Sequence, residues 1–153
     1  MKKYISTFTV CLLLVVSAMA QKANEIDAIK AAIEKETKAF FEIEYKTWVV
    51  SWEHAPYAYL SMADSTEIHQ FEGWRAIEIG FTDYFITQKP NHSKVERTWM
   101  EIRVYGDGAF ARFNQRVTSP EGVAGNEQTE IRILEKDKKQ NVWKIALVGV
   151  LRK

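Results

Sequence analysis

Between Val95 and Leu151 the sequence carries four alternating segments in succession, at about Val95 to Tyr105, Ala109 to Thr118, Glu127 to Lys136 and Val142 to Leu151. Gly106-Asp107-Gly108 and Ser119-Pro120-Glu121-Gly122 fall between the first three, and turn residues placed between alternating runs mark hairpins. A chain with this second half has few options. Sequential strands joined by short turns pair with one another, and the resulting antiparallel sheet needs another layer over its apolar face.

Alternation splits these strands into two faces. Met100, Ile102, Val104, Ala111, Phe113, Val117, Ile131 and Ile133 form the set expected to face the covering layer. Glu101, Arg103, Arg112, Asn114, Arg116, Glu130 and Arg132 form the other, where the arginines read as members of cross-strand ion pairs on an outer face rather than as an anion site. The last strand is apolar in both phases, with Ile145, Leu147 and Leu151 on one and Ala146, Val148 and Val150 on the other. Trp99, Phe110 and Leu134 also fall on the outer phase. A contiguous exposed apolar patch marks an interface, so a homodimer through the outer sheet face is expected.

The covering layer comes from the first half. From Glu25 to about Trp52, apolar residues at Ile26, Ile29, Ile33, Phe40, Phe41, Trp48 and Trp52 follow helical spacing with no glycine or proline between them, which predicts one long amphipathic helix. Glu34 with Lys38 and Glu42 with Lys46 stand at the four-residue spacing of a solvated face. Pro56 closes the helical region; Tyr57 to Met62, the turn Ala63-Asp64-Ser65 and Thr66 to Phe71 read as a short strand pair. A second helix opens at Gly73, buries Trp74, Ile77, Phe81, Tyr84 and Phe85, and ends at Lys89-Pro90-Asn91. The class is α+β.

The amino terminus has the three parts of a cleavable signal peptide: Lys2 and Lys3, an apolar run from Val10 to Val16, and Ala18-Met19-Ala20 before Gln21. Cleavage after Ala20 would leave 133 of the 153 residues as one exported domain, periplasmic or secreted, with no membrane span. Cys11, the single cysteine, follows Val10 rather than a small residue, so no lipid attachment is expected and the mature chain has no disulfide. Losing Lys2 and Lys3 takes the 21 basic residues to 19 against 20 acidic ones. Basic and acidic residues alternate throughout, which argues against a nucleic-acid partner.

The order of these elements resembles the nuclear-transport-factor-2-like superfamily, and the SnoaL-like exported proteins within it. The resemblance rests on Trp48 and Trp52 with Ala55-Pro56-Tyr57, Gly73-Trp74, Tyr105-Gly106-Asp107-Gly108-Ala109, Asn114-Gln115, the strand from Glu130 to Lys136, and Val142-Trp143-Lys144-Ile145. It implies a cone-shaped roll, long helix and second helix on a curved sheet, with a cavity between them. It leaves activity open, since the superfold hosts isomerases, dehydratases, cyclases and plain binding adaptors. Members resembling ketosteroid isomerases place a carboxylate on the first short strand. Here no acid lies between Tyr57 and Ala63, and the first, Asp64, falls in the predicted turn.

The candidate site residues follow from this frame. His69 in the second short strand is either a general base at the cavity mouth or a hydrogen-bonded strand histidine. His54, just past the long helix, suits the negative end of the helix dipole. His54, His69 and His92 share no metal-ligand spacing, and no nucleophile elbow, phosphate loop or cofactor motif is present. Trp48, Trp52, Tyr59, Trp74, Tyr84 and Phe85 are expected to wall the cavity, with Thr98, Gln115 and Thr129 as polar groups inside it. Three functions remain open: a binder of a small apolar or aromatic molecule, a cofactor-independent isomerase or lyase using His69 or Asp64 with Tyr59 or Gln115, and a dimeric protein-interaction module.

Overall fold

The computed structural model describes residues 23–63 and 67–152. Helix α1 spans 23–41, α2 Tyr45–Val50 and α3 Trp74–Thr87. The strands are β1 (Tyr59–Ala63), β2 (Ile68–Glu72), β3 (Lys94–Tyr105), β4 (Gly108–Thr118), β5 (Gln128–Asp137) and β6 (Val142–Arg152). They form one sheet in the order β2-β1-β6-β5-β4-β3, antiparallel throughout except where β1 runs parallel to β6. The helices pack over one face, burying Ile29, Ile33, Trp48, Trp52 and Ile77 against Phe113, Leu134 and Ile145. The predicted signal segment and Asp64 lie outside the described residues.

The expected single helix from Glu25 to Trp52 is two helices. At Ile43 the backbone turns left-handed, with φ 56°, and the Glu44 amide bonds back to Ala39 at 2.8 Å. Left-handed backbone disfavours a β-branched residue, so neither glycine nor proline announces the break. The turn matters for the site. In a continuous helix residues 36 and 48 would stand about 18 Å apart along the axis; here the Trp48 indole donates to Glu36 at 3.0 Å.

Two bulges set the faces of the sheet. Met100 on β3 and Ala146 on β6 have no cross-strand partner, and each inserted residue reverses the alternation of its strand. Trp99 therefore joins Ile102 and Val104 on the inner face and packs on Phe113 at 4.9 Å between ring centres, while Met100 is half exposed. Ile145 joins Val148 and Val150 inside, leaving Leu147 and Leu151 outside.

On β5 the expectation reverses completely. Glu130, Arg132 and Leu134 pair with Phe113, Ala111 and Ala109 on the inner face, and Ile131 and Ile133 point outward. Apolarity chose the wrong phase because these charges are neutralised inside. Arg103, Arg112 and Arg116 do lie on the outer face, where Glu101 pairs with Arg103 and, at 3.8 Å, with Arg112. The outer apolar patch consists of Phe110, Ile133 and Leu147 with Tyr59, Ile131 and Leu151, without Trp99 or Leu134.

Two outcomes test this packing. A Cβ on Gly80 of α3 would stand 2.3 Å from the Phe71 ring on β2. Gly80→Ala should therefore destabilise the fold by about 1–3 kcal/mol of overpacking in urea titrations, despite about 1 kcal/mol of helix propensity in its favour; Phe71→Leu in the same chain should recover most of the loss. A more stable Gly80→Ala protein would contradict the contact.

Glu25 anchors the start of α1 to the sheet by accepting from Lys136 and from the Trp143 indole at 2.8 Å. Those hydrogen bonds, Lys136 foremost, hold its carboxyl below the ordinary glutamate range. A depressed carboxyl stabilises the fold above its ordinary value and loses that contribution as pH falls through the depressed one. The stability advantage of the natural protein over Glu25→Gln should thus be constant near neutrality and shrink below about pH 4.3. An advantage unchanged between neutral and strongly acidic pH would show that the carboxylate is not the anchor.

Candidate functional site

Between α1, α3 and the inner sheet face lies a cavity of about 140 Å3. An apolar cavity of about 150 Å3 holds a benzene-sized ring. Phe40 and Phe41 from α1 and Phe81 from α3 wall the helix side, and Leu60 and Met62 from β1 with Val117, Val148 and Val150 wall the sheet side. Phe40, Phe41, Met62, Phe81, Val117, Gln128 and Val150 are only partly buried, so the cavity is open to solvent.

The closed end is polar. Glu36 from α1 meets Glu130 and Arg132 from β5, and all three are 5% exposed or less. Arg132 donates through Nε and Nη2 to Glu130 Oε2, at 3.0 and 2.7 Å, and through Nη1 to Glu36 Oε2 at 3.3 Å. The other Glu130 oxygen accepts from Gln115 at 2.8 Å and Gln128 at 3.0 Å. Glu36 also takes the Trp48 indole at 3.0 Å and the Thr37 hydroxyl at 3.4 Å. Burial opposes the Arg132 charge, but the adjacent Glu130 and Glu36 carboxylates outweigh it and hold its pKa above the ordinary guanidinium value. Arg97 on β3 donates to Thr37 at 2.7 Å and lies over the Phe113 ring. Burial, reinforced by the neighbouring Arg132 charge, pulls its pKa below the ordinary value. With Arg97 the group holds two carboxylates and two guanidiniums, so its formal charges balance.

The residues expected at the site divide into three groups. Trp48 and Gln115 line the cavity. Trp52, Trp74, Tyr84 and Phe85 do not; they fill the space beside it as core. Trp48 stands 6.0 Å from Trp52, 5.6 Å from Trp74 and 4.9 Å from Phe85, and Tyr84 stacks on Phe40 at 4.4 Å. Tyr59, Thr98 and Thr129 lie on the opposite face of the sheet, across from Leu147, Asn114 and Asn114 respectively. Thr129 donates to the Asn114 side chain there at 2.9 Å, so its polar group is satisfied outside the cone.

His69 is the cross-strand neighbour of Met62, one strand beyond the cavity lining, and its imidazole lies 3.6 Å from Glu67. His54 donates through Nε2 to the Val49 carbonyl at 2.9 Å and stacks on Trp74 at 4.3 Å, as expected for the end of a helix. Among the described residues no three His, Cys, Asp or Glu side chains gather as metal ligands, and no helix is long and apolar enough to cross a membrane.

Sequence reasoning missed Glu36, Thr37, Glu130, Arg132 and Gln128. One signal was present: Glu36 and Thr37 fall next to Ile33 and Phe40 on the apolar side of α1, where charge and hydroxyl need partners from another element.

The geometry defines a nuclear-transport-factor-2-like cone: a curved six-stranded sheet closed by helices over an interior cavity. No family model matches the chain, and no curated protein matches it. Solved structures do. A putative calcium/calmodulin-dependent protein kinase type II association domain from Thiobacillus denitrificans is similar with a TM-score of 0.66 and 11% identity, over 81% of this chain and 94% of that one. A protein of unknown function from Shewanella oneidensis, described as like nuclear transport factor 2, gives 0.62 and 12%, over 82% and 98%. The association domain of C. elegans CaMKII gives 0.59 and 15%, over 89% and 98%. Likeness at these identities is likeness of fold.

Proposed function

We propose that this protein is an exported, SnoaL-like binder of one small, largely apolar or aromatic molecule, held in the cavity between α1, α3 and the sheet. The observation that carries the reading is the cavity itself: a benzene-sized space walled by Phe40, Phe41, Leu60, Met62 and Phe81 and ending on a buried polar cluster. Apolar walls with a few fixed polar groups suit small-molecule sites. Export rests on the signal-peptide pattern of residues 1–20.

Calorimetric titration with toluene tests the binding. Saturable one-to-one binding that Val150→Phe abolishes, in a protein whose circular dichroism is unchanged, is the expected result, because the larger ring occupies the space. Absence of binding to the natural protein, or binding indifferent to Val150→Phe, would remove the cavity as the site.

The catalytic alternative has less support. Both cavity carboxylates already accept two or more hydrogen bonds, and Tyr59 lies on the other face of the sheet. Asp64 lies outside the described residues.

Pairing of two copies through the outer sheet face is a compatible reading, supported by the adjacency of Phe110, Ile133 and Leu147 there. Two of the similar structures are association domains by name. Light scattering at micromolar concentration should give a dimer mass, and Ile133→Lys should reduce it to a monomer. A monomer mass for the natural protein would overturn the pairing.

A further inference from the structure

We infer that the cavity selects a neutral ligand carrying a hydrogen-bond donor, such as a phenol or an alcohol, whose proton is accepted by Gln115 Oε1. This rests on the cavity being a binding site and specifies what it binds.

The orientation of the Gln115 amide is fixed by its surroundings. An amide side chain presents a donor at one tip and an acceptor at the other. The Gln115 nitrogen faces Glu130 Oε1 at 2.8 Å, and turning the amide over would set two acceptor oxygens against each other. The carboxylate thus fixes the nitrogen and leaves Oε1 as an acceptor on a side chain that lines the cavity and is 4% exposed. Four buried side-chain polar atoms among the described residues lack a partner: Trp52 Nε1, Arg97 Nε, Gln115 Oε1 and Ser119 Oγ. Of these residues, Gln115 alone lines this cavity. A buried acceptor left unpaired costs about 1–3 kcal/mol, and a ligand that supplies a donor recovers part of that.

Each donor nitrogen around it already gives an N–H to a carboxylate. Arg132 uses all three nitrogens on Glu130 and Glu36, Trp48 donates to Glu36, and Gln128 joins Gln115 on Glu130. An anionic ligand would sit beside two buried carboxylates and share with them the nitrogens that already hold those charges. Arg97, whose Nε is unpartnered, lines the neighbouring groove with Lys38 and Ser93 instead.

Four probes of similar size separate the possibilities: phenol, which donates; anisole, which only accepts; toluene, which does neither; and benzoate, an anion. One hydrogen bond is worth about three- to tenfold in affinity, so phenol should bind by that factor more tightly than toluene and anisole, and benzoate least. Gln115→Met should bring the phenol-to-toluene ratio to about one. Should that variant fold poorly, the natural protein still decides: its Gln115 side-chain amide resonances should shift with phenol and stay with toluene. Equal affinities for phenol and toluene would overturn the donor assignment while leaving the cavity as a site, and would place a retained water on Oε1. Benzoate binding more tightly than phenol would also overturn it and move the polar anchor to Arg97. No binding by any probe would overturn the binding reading together with this one.

Discussion

Replacing Arg132 with methionine should destabilise the fold by about 3–5 kcal/mol, the cost of removing one partner from a buried ion pair. Two carboxylates lose their common cation at once. Glu130 Oε2 loses both of its donors, and Glu36 Oε2 keeps only the longer contact from Thr37. Denaturant titration measures the loss. Removing all four charges together, as Glu36→Met, Arg97→Met, Glu130→Met and Arg132→Met in one chain, should cost less than Arg132→Met alone, because no unpaired charge remains. A loss under about 1 kcal/mol for Arg132→Met would mean that water reaches the cluster, as at an exposed pair.

Trp48→Ala should be equally damaging, at about 3–5 kcal/mol for an aromatic side chain deleted from a packed core. Trp48 is 1% exposed and touches Trp52, Trp74, Phe81 and Phe85, so α2, which carries it, loses its aromatic contacts with α3. Trp48→Phe separates packing from hydrogen bonding. It keeps most of the ring contacts and removes the indole donor from Glu36 Oε1, and about 1–3 kcal/mol for a buried acceptor left unpaired is the expected cost. Equal losses from the two substitutions would show that the hydrogen bond, not the ring, holds α2 in place.

Much of the fold was legible because the periodic signals are long. The β4 strand alternates cleanly from Ala109 to Val117, and α3 repeats its apolar face from Trp74 to Phe85, so both elements follow from the residues alone. What the sequence hid has a physical reason in each case. Ile43 adopts a left-handed backbone without the glycine that usually marks one, so the break between α1 and α2 carries no local sign. Met100 and Ala146 are bulge residues, and one inserted residue turns every later side chain to the other face. The site was harder still. Glu130 and Arg132 alternate with Ile131 and Ile133, so apolarity alone sends the charges to the solvent side, and the partner that makes their burial tolerable, Glu36, lies nearly a hundred residues earlier on another element. Gln115 was legible, since a polar residue in the apolar phase of β4 stands out with no reference to the rest of the chain.

The central claim is that the space beside Phe40, Trp48 and Gln115 holds a small molecule. A crystal structure of the protein purified from its natural host tests it most directly. The account predicts density for a small organic molecule within contact of these three side chains, with a donor atom at hydrogen-bond distance from Gln115 Oε1. A cavity closed by rearranged side chains, or filled only by ordered water, would contradict it.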